Sequence, residues 1–165
     1  MATTGQQSGK TGTGTRRAAN PIPQGFHTIT PYLTVDGGTK LIDFLKRAFG
    51  ATVGDKMETP DGKIGHADLK IGDSHLMLSD AMMDMKATPA SLYLYVEDAD
   101  ALYRRALEAG AKSVKEPMDQ FYGDRSACVK DFAGNTYWLA THIEDVPKDE
   151  LQRRSQEQMR KMQRH

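Results

Sequence analysis

The chain is built twice, and that repetition constrains its fold more than any other feature. Val35 and Val96 lie 61 residues apart, Gly50 and Gly110 60, Gly72 and Gly134 62, and Met77 and Trp138 61. The stretch 126–142 reads as two strands around an Asp131-Phe-Ala-Gly134-Asn135 turn. There Gly takes positive φ freely and Asn tolerates it. The stretch 66–79 has the same plan around Gly72-Asp73.

Each half reads as strand, helix and three strands. Residues 28–35 alternate, with Ile29, Leu33 and Val35 on one face and Thr28, Thr30, Tyr32 and Thr34 on the other. Pro31 marks this strand as an edge or as lacking one ladder bond. Asp36-Gly37-Gly38-Thr39 caps a helix over 40–49 with an apolar stripe of Leu41, Phe44, Leu45, Ala48 and Phe49, ended by Gly50. A strand over 52–58, a turn at Pro60-Asp61-Gly62 and the 66–79 pair complete the first unit. The second repeats the order: a strand over 91–96, a helix over 99–109 opened by Asp98, a strand over 112–118, then the 126–142 pair. The spacing predicts two tandem βαβββ units, about 28–80 and 90–142, that enclose a common sheet face neither could bury alone. The fold class is α+β.

The 165 residues suffice for one domain with a core. Net charge is zero but unevenly placed: residues 1–25 and 147–165 each carry an excess of three basic groups, and 26–146 an excess of six acids. An acidic centre argues against nucleic-acid binding. The single cysteine, Cys128, permits no intrachain disulfide and fits a reducing cytoplasm. No apolar run approaches a membrane span and no signal peptide is visible, so a cytoplasmic location is expected.

Residues 1–24 are polar and aperiodic, the composition of a disordered tail. Within them Gly5-Gln-Gln-Ser-Gly9-Lys10-Thr11 approximates a phosphate-binding loop. Its spacing is one residue short and no strand precedes it, so it reads as tail. The domain proper is 25–146. Residues 147–165 form a charged helix or tail with a thin stripe of Leu151, Met159 and Met162, expected to be solvated.

The paired units, the Asp131-x-x-Gly134-Asn135 turn and the Gly-Ala ending each helix resemble the vicinal oxygen chelate superfamily. This is the glyoxalase, bleomycin-resistance and dioxygenase group. Thr30-Pro31-Tyr32-Leu33, Gln120-Phe121-Tyr122-Gly123-Asp124-Arg125 and 140–146 look like its phosphonate-operon-associated branch, once described as demethylubiquinone methyltransferase-like. The resemblance covers about 28–155 and implies a half-open, cleft-containing barrel and a homodimer.

The superfamily typically holds a divalent ion with four cleft-facing side chains. Matched strand for strand, those positions fall here on Thr30, Met77, Ser91 and Trp138, none a good ligand for such an ion. The expectation is therefore no metal cofactor. An alternative is a shifted site at His66, Asp68 and His75, serving a lyase, isomerase or dioxygenase. The expected ligand cleft is lined by Thr30, Tyr32, Met77, Tyr93, Tyr95, Arg125, Cys128 and Trp138, aromatic walls suited to a small planar ligand. Arg125 is read as a carboxylate or phosphate anchor, or as a loop brace to Asp124 or Asp131. Cys128 reads as a small core residue, and no nucleophile–base order is legible. The leading function is metal-independent small-molecule binding; a third possibility is partner docking by the basic tail.

Overall fold

A computed structural model describes residues 20–163. The first nineteen residues of the expected tail, with the Gly5–Thr11 stretch, lie outside the described residues. The order is β1 (Tyr32–Val35), α1 (Gly38–Phe49), β2 (Thr52–Glu58), β3 (Ile64–Ile71), β4 (Ser74–Asp80), β5 (Ser91–Tyr95), α2 (Ala99–Glu108), β6 (Lys112–Asp119), β7 (Asp124–Lys130), β8 (Thr136–His142) and α3 (Lys148–Met162). Two four-stranded sheets result, β1-β4-β3-β2 and β5-β8-β7-β6, each with one parallel pair beside antiparallel ones. The fold is α+β, and the sheets do not close into a barrel.

One core runs through both units. Leu41, Ile42, Phe44, Leu45, Ala48 and Phe49 bury one face of α1, each large side chain contributing ~2 kcal/mol. They meet Leu33, Val35, Leu69 and Leu78 of their own sheet. Phe44 and Phe49 also reach the second unit, their rings 5.9 and 4.9 Å from that of fully buried Tyr137 on β8. The guanidinium of Arg47 donates to the carbonyl of Ala109 at 3.1 Å, and that of Arg105 to the carbonyl of Arg47 at 3.3 Å. Strand alternation sends the residues between these buried ones to the opposite face of each sheet, which none of the described helices covers.

Three local expectations are corrected. The first strand begins after Pro31, not at 28. Proline has no N–H for the ladder, though its carbonyl still accepts from Met77, and Ile29 is exposed rather than on the core face. Helix α1 begins at Gly38 and takes no cap from 36–39. The Asp80 carboxylate at the end of β4 accepts the N–H groups of Gly37 and Gly38, both at 2.8 Å. Asn135 does not sit at positive φ. It is buried because its side chain accepts from Ala90 N–H at 2.9 Å and donates to Asp131 at 2.8 Å.

Candidate functional site

The uncovered face of the second sheet carries one continuous row. Register sets Tyr93 beside Trp138, Trp138 beside Cys128, and Cys128 beside Lys115. The Tyr93 and Trp138 rings stack at 6.5 Å and 12°. The Lys115 ammonium lies 5.4 Å from the indole, a cation–π contact. Cys128 is buried between them, and burial pushes its thiol up, away from nucleophilic use. In the first unit the matching row is Tyr32, Met77 and Asp68. Register thus sets Tyr32 and Tyr93 beside Met77 and Trp138. Thr30 precedes β1, and Ser91 pairs with Thr136.

One turn along the second sheet sits a buried carboxylate that sequence reading missed. Asp124 is 2% exposed. It accepts from Tyr93 Oη at 3.3 Å, Tyr95 Oη at 3.1 Å and His142 Nδ1 at 2.8 Å. The far nitrogen of His142 meets Asp145 at 3.0 Å. The bond to Asp124, and secondarily that to Asp145, raises the His142 pKa. Burial first, then the neighbouring Tyr122 and Asp124, raises that of Tyr93. Carrying the β7 alternation two residues back from Ser126 would have placed Asp124 on the face of Cys128.

Arg125 is not available as an anion anchor. Its Nη2 donates to Asp100 on α2 at 2.8 Å, its Nη1 to Asp119 at 2.8 Å, and its Nε to the second Asp100 oxygen. It braces the loop, but against neither Asp124 nor Asp131. Asp131 instead organises its own turn, accepting from the N–H groups of Ala133 and Asn135 and from Tyr137 Oη.

A groove of about 1180 Å³ runs between the units along the edge of β5 and meets the aromatic row at Tyr93. Thr30, Tyr93 and Tyr95 line it, with His75 and His142. Tyr32, Met77, Arg125, Cys128 and Trp138 do not. The eight residues expected in one cleft are therefore divided between this groove, the two sheet faces and the Arg125 brace.

The residues do not fit the divalent ion expected of such a fold. Tyr32, Met77, Tyr93 and Trp138 offer phenols, a thioether and an indole rather than imidazole and carboxylate. Of the shifted set, Asp68 and His75 pair at 3.0 Å. His66 sits instead near the Tyr32 ring, at 6.0 Å. Among the described residues no three His, Cys, Asp or Glu side chains converge on a metal position.

Each sheet does carry an unanswered polar atom on its uncovered face. The hydroxyls of Ser79 and Ser126 are buried and have no hydrogen-bond partner among the described residues. Burial without a partner costs ~1–3 kcal/mol.

Comparison with known proteins gives a consistent picture. A family profile described as "Glyoxalase/Bleomycin resistance protein/Dioxygenase superfamily" matches residues 25–139. An uncharacterized protein of Mycobacterium bovis is 36% identical over 135 residues, 75% of this chain and 89% of its own length. An uncharacterized protein of Mycobacterium tuberculosis is equally similar over 79% of its length. The crystal structure of TioX from Micromonospora sp. ML1 superposes with a TM-score of 0.60 at 25% identity, covering 70% of this chain and 98% of that one. A glyoxalase/bleomycin resistance protein/dioxygenase family enzyme from Burkholderia phytofirmans shares the fold, with a TM-score of 0.54 at 15% identity over 69% and 97% of the two chains.

Proposed function

The chain belongs to the glyoxalase/bleomycin resistance protein/dioxygenase superfamily, and from that premise we propose that it is a metal-independent small-molecule-binding protein. We place it nearest the phosphonate-operon-associated branch, with residues 25–146 as the binding domain and 147–165 as an appendage. The observation that carries the reading is the stacked Tyr93–Trp138 pair on a sheet face that none of the described helices covers. A planar ligand extends such a stack, and each aromatic contact adds ~0.5–1.5 kcal/mol beyond burial. The orphaned Ser126 hydroxyl, one row along the same face, would gain its missing partner from a polar group on that ligand. The phenol, thioether and indole donors of the two rows support metal independence.

The ligand face is closed, in this reading, by a second copy of the chain. Every residue of β2 and all but one of β6 are exposed, and Met57, Val114 and Met118 stand on them uncovered. A homodimer that covers these strands would wall the aromatic row.

Trp138 is the sole tryptophan, so its fluorescence reports the site directly. Titration with bleomycin is expected to give saturable quenching, with affinity falling about tenfold in Tyr93→Ala. An unchanged affinity in that variant removes the aromatic row from the reading. Elemental analysis after dialysis against Zn, Ni, Mn or Fe(II) checks the other half. Stoichiometric metal lost on His75→Ala would turn the reading toward a metal-dependent enzyme.

A further inference from the structure

We propose that the His75–Asp68 pair is a second ligand site, distinct from the aromatic row, that takes a neutral planar phenol, and that Phe26 is its built-in competitor. His75 Nδ1 lies 3.0 Å from both oxygens of Asp68. An ionised carboxylate only accepts, so in a neutral imidazole the proton sits on Nδ1 and the lone pair on Nε2. Both side chains are largely withdrawn from water, 14% and 13% exposed. Glycine at position 54 leaves room for the carboxylate: a Cβ there would stand 2.9 Å from Asp68 Oδ2. Nε2 takes no part in any hydrogen bond among the described residues, and His75 lines the groove between the units.

What covers the imidazole is a strap. Residues 20–31 have no regular structure. Their hydrogen bonds up to Thr30 are internal: Phe26 N–H to Pro23 carbonyl, and Thr30 Oγ1 to His27 carbonyl. Among the described residues the first bond from this segment to the sheet is Met77 N–H to Pro31 carbonyl. The strap's one aromatic anchor is the Phe26 ring, stacked on His75 at 3.9 Å and 26°. Gly25 passes beside Nε2, where a Cβ would stand 3.2 Å away. The stacked phenyl ring therefore pins Gly25 beside Nε2, and neither residue offers Nε2 a hydrogen.

Charge selects the ligand. With a neutral imidazole the pair carries the Asp68 charge, and Asp73, Glu97 and Asp98 line the same groove against one guanidinium, Arg105. An anion is repelled; a neutral ring with an acidic O–H is not. Such a phenol donates to Nε2 in the plane of the imidazole, where Gly25 now passes, so the strap that Phe26 pins to His75 must give way to it. If the proton transfers, the O–H bond breaks, Nε2 gains the proton, and the phenolate is left beside an imidazolium whose charge Asp68 offsets.

The probe is 4-nitrophenol, whose absorbance separates phenol from phenolate, titrated into the full chain. Phe26→Ala should bind it roughly fivefold more tightly, the loss of one competing aromatic stack. His75→Gln should abolish binding, and Asp68→Asn, which no longer fixes the tautomer, should weaken it about tenfold. Phe26→Leu, which keeps apolar cover without the stack, guards against a folding artefact and should fall between wild type and Phe26→Ala. Trp138→Phe should leave binding unchanged. Equal affinity in wild type, Phe26→Ala and His75→Gln overturns the proposal, as does no binding to any of them. Binding lost in Trp138→Phe but kept in His75→Gln overturns it too, and assigns the phenol to the aromatic row instead.

Discussion

The Asp80 carboxylate accepts the backbone N–H of Gly38 at 2.8 Å, and so carries the N-terminus of α1 from the end of β4. Gly37 N–H shares the same oxygen, and Ile64 N–H takes the other at 2.7 Å. Sixty-one residues on, Thr141 does the same for α2, its Oγ1 accepting from Ala99 N–H at 2.9 Å. Asp80→Ala leaves three withdrawn N–H groups unanswered and should cost ~3–5 kcal/mol, against ~1 kcal/mol for Thr141→Val, where one bond is lost. Burial pushes the Asp80 pKa up, but the three N–H bonds outweigh it and hold the group below its ordinary value of 3.8. Its contribution is thus present above that value and lost as pH falls through the lower folded one. Urea unfolding of both variants at neutral pH checks the contrast; equal losses would mean that Asp80 is no cap.

Gly123 should be the least replaceable glycine. Its φ is +97°, its carbonyl accepts from Ile143 and Glu144, and a Cβ would stand 2.1 Å from the Glu144 carbonyl oxygen. Backbone cannot move aside as a side-chain tip can, so Gly123→Ala should cost ~3 kcal/mol or more. Gly72, at φ +58° with nothing within 4 Å of a built Cβ, pays only left-handed strain of ~1–2 kcal/mol on replacement by Ala. Thermal melts of the pair test the ranking.

Much of this architecture was legible in the chain, for a physical reason. Alternation and the repeat offset depend only on near neighbours, so strand faces, helix stripes and the Met77–Trp138 equivalence could be read directly. The residues that escaped are those whose partners lie far along the chain. Asp80 caps a helix 42 residues upstream. Arg125 pairs with Asp100 on α2, 25 residues away, rather than with the acids beside it in sequence. Phe26, in a stretch without periodicity, finds His75. The site was half visible for the same reason. Alternation indicated which side chains share a face, but not that Tyr93 and Tyr95 would turn their hydroxyls to one buried carboxylate.

The Asp124–His142 pair should make stability pH-dependent near neutrality. The bonds to Asp124 and then Asp145 raise the folded pKa of His142 above its ordinary value of 6.5. A raised histidine stabilises fully below its unfolded pKa, and that contribution is lost as pH rises through the folded one. Urea midpoints should therefore fall as pH rises above 6.5 in wild type, and the slope should flatten in His142→Gln. An identical slope in the variant would assign the titration elsewhere.

Helix α3 is held to the body by one guanidinium. Arg154 donates from Nη1 and Nη2 to the two oxygens of Glu144, both at 2.8 Å, and from Nε to Glu150 at 2.7 Å. Leu151 and Ser155 line a shallow pocket with Phe121 and Tyr122, and every residue from Gln156 to Gln163 is exposed. Exposed ion pairs add little to global stability, so Arg154→Ala should leave the urea midpoint nearly unchanged. Locally the effect should be large. Amide exchange over 150–158 should speed at least tenfold, to the rate of a helix with no tertiary support. The Arg154 bonds hold the Glu144 pKa below its ordinary 4.5, so the clamp is present above that value and lost as pH falls through the lower folded one. Exchange in wild type should accelerate over that interval and in Arg154→Ala far less. Unchanged exchange in the variant would show that Leu151 packing, not Arg154, anchors the helix.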